Sequence, residues 1–228
     1  LNDNMRVRVF SEGVPVYETE QMARMRAYTA GENDGKARQL ARYTKEVGER
    51  YVDQLDVTLI FRNDRFGRGG DHTPFCREGF TAVRICEFNE NYDRTHTDVE
   101  VKDGIAYGDM PSGVDFEYVR KNAGINLAVL ANLALAPMQP ENVGIKLSGM
   151  SNFSTLSWEA PVIGRSPAGY YLLLRETYMP LWQKKIYVKG TEITVPYSKD
   201  NYFFAVQAVD EKGHESLPVF PSPARRRR

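Results

Sequence analysis

The chain has only two cysteines, only three histidines and no excess of either charge. Each shortage narrows what it can be. Cys76 and Cys86 make no disulfide framework; one bridge and two free buried thiols both fit the sequence. Lysine plus arginine equal aspartate plus glutamate, 30 each, so net charge gives no footprint for nucleic acid. The one basic run, Arg225–Arg228, reads as a solvated tail. No apolar run is long enough to span a bilayer, so the chain is not expected to be a transmembrane protein. It opens on Leu1 with no signal peptide, which reads as a processed or truncated product. Phosphate-loop chemistry has no motif, because "GRGGDH" lacks the spacing and the Lys-Ser/Thr ending. No G-x-S-x-G elbow is present for a serine hydrolase.

What is there falls into two halves. "MRVRVF" (Met5–Phe10), "LDVTLIF" (Leu55–Phe61) and "FTAVRIC" (Phe80–Cys86) alternate or are rich in β-branched residues, and read as strands. Between the first two, Leu40, Tyr43, Val47 and Tyr51 recur at helical spacing. A second helix is expected from a Ser112 cap to just before Pro137. Its apolar stripe would be Val114, Phe116, Val119, Ala123, Leu127, Leu130 and Ala134. Strands separated by helices imply an α/β layer with a mixed sheet.

The pattern changes at "APMQPENV", where two prolines read as a linker. Short strand-like runs follow: "STLSW", "GYYLLLRE", "KKIYVKG", "TEITVPY" and "NYFFAVQAVD". In the last, Tyr202, Phe204, Val206 and Ala208 share a face at period two. That is the pattern of a β-sandwich. His214, in "KGHES", reads as a solvated turn residue. Tyr178 and Trp182 in "ETYMPLWQK" could form an exposed glycan platform, although Trp182 suits core packing better.

Chemistry concentrates between Asp64 and Asp98. "NDRFGRGGDHTPF" packs glycines, charges and His72 together. His96 follows in "NENYDRTHTD", in the loop after a candidate strand, where open α/β sheets bind ligands.

Two resemblances sharpen this reading. Residues from about Gln139 to Pro223 resemble a fibronectin type III module: Trp158 in "LSWEAP", Tyr170 in "AGYYLLLRE" and the run "YFFAVQAVDEKGHES" fall in that family's order. Such a module implies binding, spacing or stabilisation rather than catalysis. Residues from about Arg6 to Pro137 resemble the C-terminal part of a zinc peptidase of the M28 family, the aminopeptidase, glutamate carboxypeptidase and glutaminyl cyclase-like group. "GGDHTPFCREGFTAVRICEFNENYDRTHT" carries the likeness.

The resemblance implies domains at 1–137 (part of a peptidase-like α/β/α layer) and 138–223 (the sandwich), then a tail at 224–228. It implies zinc, with His96 as a ligand and Asp3, in "LND", as a remnant ligand. Asp93 or Asp98 would orient the His96 ring, Asp71 and His72 would shape the pocket floor, and Tyr92 would line the cleft. The family's reaction is metal-assisted peptide hydrolysis, in which zinc lowers the pKa of bound water and a glutamate takes its proton. The family's H-x-D and paired-glutamate segments are missing here, so no general base is assigned. The implied parent is a secreted exopeptidase acting on peptide substrates, of which this chain is a fragment that is inactive alone. The competing expectation is a secreted non-catalytic scaffold, with a degenerate peptidase-like layer and a sandwich that binds a partner or glycan.

Overall fold

A computed structural model describes residues 3–224. The basic tail expected at Arg225–Arg228 lies outside the described residues. The chain divides into two compact units, Leu1–Val129 and Leu130–Arg228.

The first unit is built on a three-stranded mixed sheet. β1 (Arg6–Phe10) lies in the middle, parallel to β2 (Asp56–Ile60) and antiparallel to β3 (Arg84–Glu87). The Arg-Val-Arg-Val alternation sends Val7 and Val9 into the core, with Val57 beside Val7, all three fully buried. A parallel pair needs a crossover. Here it runs through α1 (Glu20–Thr29) and α2 (Lys36–Tyr51). α2 buries Tyr43 and Val47 as its spacing predicts, leaves Leu40 half-buried and exposes Tyr51. α1 buries none of its residues. β3 is shorter than the run Phe80–Cys86 suggests. Within "NDRFGRGGDHTPF", His72 begins a short helix, α3 (His72–Arg77).

The last helix of the unit, α4 (Phe116–Leu135), is where the sequence misleads. Asp115 caps it, not Ser112: its carboxylate accepts from the Tyr118 N–H at 3.0 Å and from Asn4 Nδ2 at 2.8 Å. Ser112 sits in a 3-10 turn, Pro111–Gly113. The predicted apolar stripe points outward, with Phe116 69%, Val119 53% and Leu127 68% exposed. The inward face carries Tyr118, Lys121, Ile125 and Val129. Tyr118 and Lys121 satisfy backbone carbonyls that a hydrocarbon could not: Tyr118 Oη donates to Arg6 O at 2.5 Å, and Lys121 Nζ donates to Asn4 O at 3.1 Å and Gln54 O at 3.0 Å. Ile125 lies so close to Gly48 of α2 that a Cβ there would come within 3.1 Å of it, which explains a glycine in mid-helix. Cys76 and Cys86 are both free thiols.

The second unit is a two-sheet β-sandwich. β6 (Glu141–Ile145), β7 (Ser154–Glu159) and β10 (Glu192–Val195) form one sheet in the order β10-β7-β6, with β12 (Ser222–Pro223) at its edge. β8 (Gly169–Glu176), β9 (Lys184–Val188) and β11 (Tyr202–Val209) form the other, in the order β11-β8-β9. Alternate residues turn inward from both, including Ile145, Leu156, Leu172, Leu174, Phe204 and Val206. Trp158 of β7 meets Tyr170 of β8 edge-on, with ring centroids 5.4 Å apart.

His214 is less solvated than its turn suggests. Its Nδ1 lies 2.7 Å from Asp210 Oδ2, and the same carboxylate accepts from the N–H groups of Lys212 and His214. Trp182 packs beside Phe220 at 5.5 Å, and the buried Arg175 guanidinium lies 5.4 Å from its ring. Tyr178 stands exposed, its hydroxyl 2.8 Å from Glu176. No helix among the described residues is long and apolar enough to cross a membrane.

Candidate functional site

β3 ends at Glu87, and the chain leaves it through Phe88 to Gly113 in a segment that folds on itself. Asn91 Oδ1 caps a 3-10 turn at Tyr92–Arg94 by accepting from the Asp93 N–H at 3.1 Å. Thr97 Oγ1 donates to Asp93 O at 2.8 Å and accepts from the Gly108 N–H at 2.9 Å. A small hairpin, β4 (Val101–Lys102) with β5 (Ile105–Ala106), follows. His96 sits between turn and hairpin with φ 56°, a left-handed conformation that few non-glycine residues adopt. Its side chain is exposed, as are the carboxylates of Asp93 and Asp98.

Beside this loop lies a cavity of about 470 Å³. Asp3, Glu87, Asp109 and Asp115 put carboxylates on its wall, Arg94 a single cation, and Val114, Phe116 and Val119 an apolar flank. Asp3 is bound to Arg6, whose Nε donates to it at 2.6 Å and holds its carboxyl below the usual range. Burial pushes the Glu87 carboxyl up, and the Glu90 charge adds to the shift against the pull of Arg8. Asp3 and Thr95 therefore share one cavity wall. His96, next to Thr95, is not on that wall.

Asp71 and His72 part company. Asp71 is exposed at the start of α3 and makes no capping bond with its side chain. His72 turns inward, 6% exposed, with Nε2 2.8 Å from Asn63 O and 3.9 Å from Asp64 Oδ2. Tyr92 stands 63% exposed with the Arg68 guanidinium 5.7 Å from its ring.

The organising group of the site is Glu90, to which no sequence motif points. Its carboxylate is nearly buried between Arg8 of β1, at 2.9 Å, and Arg65, with Arg68 at 3.6 Å. Arg65 also pairs with the buried Asp64, at 3.2 Å, and Arg84 of β3 approaches Asp64 at 3.7 Å. Burial raises the carboxyls of both Glu90 and Asp64. The arginines, and for Asp64 the Arg65 N–H as well, outweigh it and leave both below the usual range. The network ties the Asn63–Gly70 loop, α3 and the root of the His96 loop to the sheet. Its sequence signal is the density of opposite charges in "NDRFGRGGDH", to which pattern alone assigns no partners.

Zinc needs three or more converging ligands. Among the described residues, no group of three His, Cys, Asp or Glu side chains could hold a metal. His96 and Asp3 do not complete a centre by themselves, and no chemical step through a metal follows from them.

No protein-family model matches the chain. It is 41% identical, over 224 residues, to a protein of Leptosphaeria maculans named "Probable zinc metalloprotease". That match covers 97% of this chain and 51% of the relative. A Pyricularia oryzae protein of the same name is 40% identical over 228 residues, covering 97% of this chain and 45% of the relative. The chain thus spans about half the length of the curated relatives it matches. Among solved structures, a titin module from human cardiac muscle is 24% identical, with a TM-score of 0.31, covering 39% of this chain and 90% of the module. A fibronectin III domain of human collagen α-1(XX) is 20% identical, with a TM-score of 0.31, covering 40% of this chain and 90% of the domain.

Proposed function

We propose that this chain is the C-terminal part of a zinc-dependent exopeptidase of the M28 type, secreted, acting on peptides, and followed by a fibronectin III-like module. One observation carries the reading: near-complete coverage of the chain by proteins named zinc metalloproteases. The motif resemblance narrows the class to M28 and to the aminopeptidase or carboxypeptidase type. Residues 1–137 would be the peptidase part and 138–223 the module. In the whole protein His96 contributes one zinc ligand from a loop tip, with Asp93 or Asp98 as acceptor for its second ring N–H. Asp3 is bound to Arg6 and would have to give up that partner to reach a metal. Asp71 and His72, at the start of α3, shape the floor of the pocket, and Tyr92, exposed beside Arg68, is free to meet substrate.

A scaffold reading is favoured by one observation, the missing ligand cluster among the described residues. The test is zinc content and peptidase activity, using amino-acid p-nitroanilides, of the chain joined to the remaining half of its Leptosphaeria relative. About one equivalent of zinc and chelator-sensitive turnover are expected, both lost in His96→Ala. Undiminished zinc and turnover in that variant would remove His96 from the site. A joined protein with less than about a tenth of an equivalent would leave the scaffold reading standing.

A further inference from the structure

In the second unit, the loop from β8 to β9 is anchored by its backbone. The Thr177 N–H donates to Asn201 O at 3.1 Å, the Met179 N–H to Glu176 O at 3.0 Å and the Gln183 N–H to Leu174 O at 3.0 Å. Arg175 Nη1 donates to Met179 O at 2.6 Å. The sequence groups Trp182 with Tyr178, but Trp182 packs beside Phe220 and leaves Tyr178 alone outside, 77% exposed.

A single exposed tyrosine is ordinary. This one is fixed in place. Its hydroxyl donates to Glu176 Oε2 at 2.8 Å, and Gln183 Nε2 donates to the same oxygen at 3.2 Å. Gln183 Oε1 accepts the Glu176 N–H at 2.7 Å, so the amide clamps the carboxylate that holds the ring. Hydrogen-bonding capacity is left over beside the ring. No bond among the described residues occupies Glu176 Oε1, and Gln183 Nε2 carries a second N–H. An aromatic face already held still loses little freedom when a ligand covers it. Bordered by an acceptor and a donor, it suits a ligand ring that is apolar on its face and polar at its edge. A pyranose whose hydroxyls are all equatorial is such a ring, since its two faces carry only axial C–H bonds.

We propose that Tyr178, Glu176 and Gln183 form a subsite for one pyranose of a β-linked, gluco-configured polysaccharide. The sugar stacks on the Tyr178 ring, one hydroxyl donates to Glu176 Oε1, and another accepts from Gln183 Nε2. A proline-rich peptide fits worse, because it docks in a groove lined by several aromatic rings. The tyrosines nearby line no such groove: Tyr202, which faces Glu176 in the strand register, and Tyr197 pack against the sandwich core. The subsite lies wholly in the second unit, and neither zinc nor the peptidase reading enters it.

The whole chain is titrated by calorimetry with cellohexaose, with chitohexaose and with a proline-rich peptide. Saturable binding of at least one of the two sugars is expected. Tyr178→Ala should weaken it about tenfold. Tyr178→Phe keeps the ring and should weaken it by no more than about threefold. Both variants should keep the thermal midpoint of the chain, because the side chain is already in water. Absence of saturable binding of either sugar at millimolar concentration overturns the proposal. So does binding that survives Tyr178→Ala, and so does an equal loss in Tyr178→Phe, which would make the hydroxyl and not the ring the point of contact. A Tyr178-dependent affinity for the peptide that exceeds that for both sugars overturns it as well.

Discussion

The second unit keeps its hydrophobic residues between two sheets, whereas the first spends much of its apolar surface on solvent. In the sandwich, each strand face that alternation makes apolar meets another such face. In the first unit, Val7, Val9 and Val57 are fully buried, yet Met22, Met25 and Tyr28 of α1 and the outer row of α4 face water. The first unit compensates with charge: Glu90, Asp64, Arg65 and Arg8 hold together what apolar packing does not. One unit is stabilised by shape, the other in good part by paired charges, and the two should fail differently.

The largest effect should come from opening the sandwich. Leu172→Ala removes a fully buried side chain and should cost about 3–5 kcal/mol. Both tryptophans, Trp158 and Trp182, lie in this unit, so the loss should appear as an earlier fluorescence transition in urea. An unchanged midpoint would deny that this core carries the unit.

Next comes Glu90→Gln. Removing one partner from a nearly buried ion network should cost roughly 3 kcal/mol, because Arg8 and Arg65 lose the charge they face. The loss should show in the far-ultraviolet helix signal and leave the tryptophan transition where it was. Equal shifts of both signals would erase the distinction between the units.

Acid should separate the units by a smaller margin. Glu90 and Asp64 have folded-state pKa values below their ordinary ones, so their stabilisation is present above about pH 4 and is lost as pH falls through the folded values. Asp210 in the sandwich behaves in the same sense. Burial raises it, and the His214 ring, the first of its hydrogen-bond donors, helps bring it below the ordinary value. The first unit has two such groups in one nearly buried network, whereas the second has Asp210 at a turn and the solvent-facing Glu176. Below about pH 4 the helix signal should therefore fall before the tryptophan signal changes. The reverse order would mean that paired carboxylates matter no more to the first unit than to the second.

The smallest effect should be Leu127→Gln in the isolated chain, within about 0.5 kcal/mol despite its place in an apolar row, because the side chain is already in water. A loss of several kcal/mol would mean that the row is covered in solution.

Legibility followed the same division. Period-two alternation finds β11 and its inward residues Phe204, Val206 and Ala208, because the sandwich obeys the simple rule that apolar side chains pack inward. The same kind of rule finds the stripe on α4, which the structure turns outward. Periodicity reveals that a helix has an apolar face; it does not reveal whether the covering surface is present. Lys121 and Tyr118 took the inward positions because strand-end carbonyls needed donors, a demand created only when residues over a hundred positions apart meet. The same holds at the candidate site. His96 and Asp3 were named from a motif, and the structure puts Asp3 on a cavity wall with Thr95. The Glu90 network needed the fold, since its partners come from β1, from the loop after β2 and from beyond β3. Asp71 and His72 are adjacent in sequence, yet one faces solvent and the other the buried Asp64, which no spacing rule distinguishes.

The Tyr118 hydroxyl has a mechanical consequence. It donates to Arg6 O and accepts from the Phe88 N–H at 3.2 Å, so one oxygen joins the root of β1 to the first residue beyond β3. A displacement of α4 at Tyr118 would strain both bonds at once, and one of them is made by Phe88, where the loop that carries His96 begins.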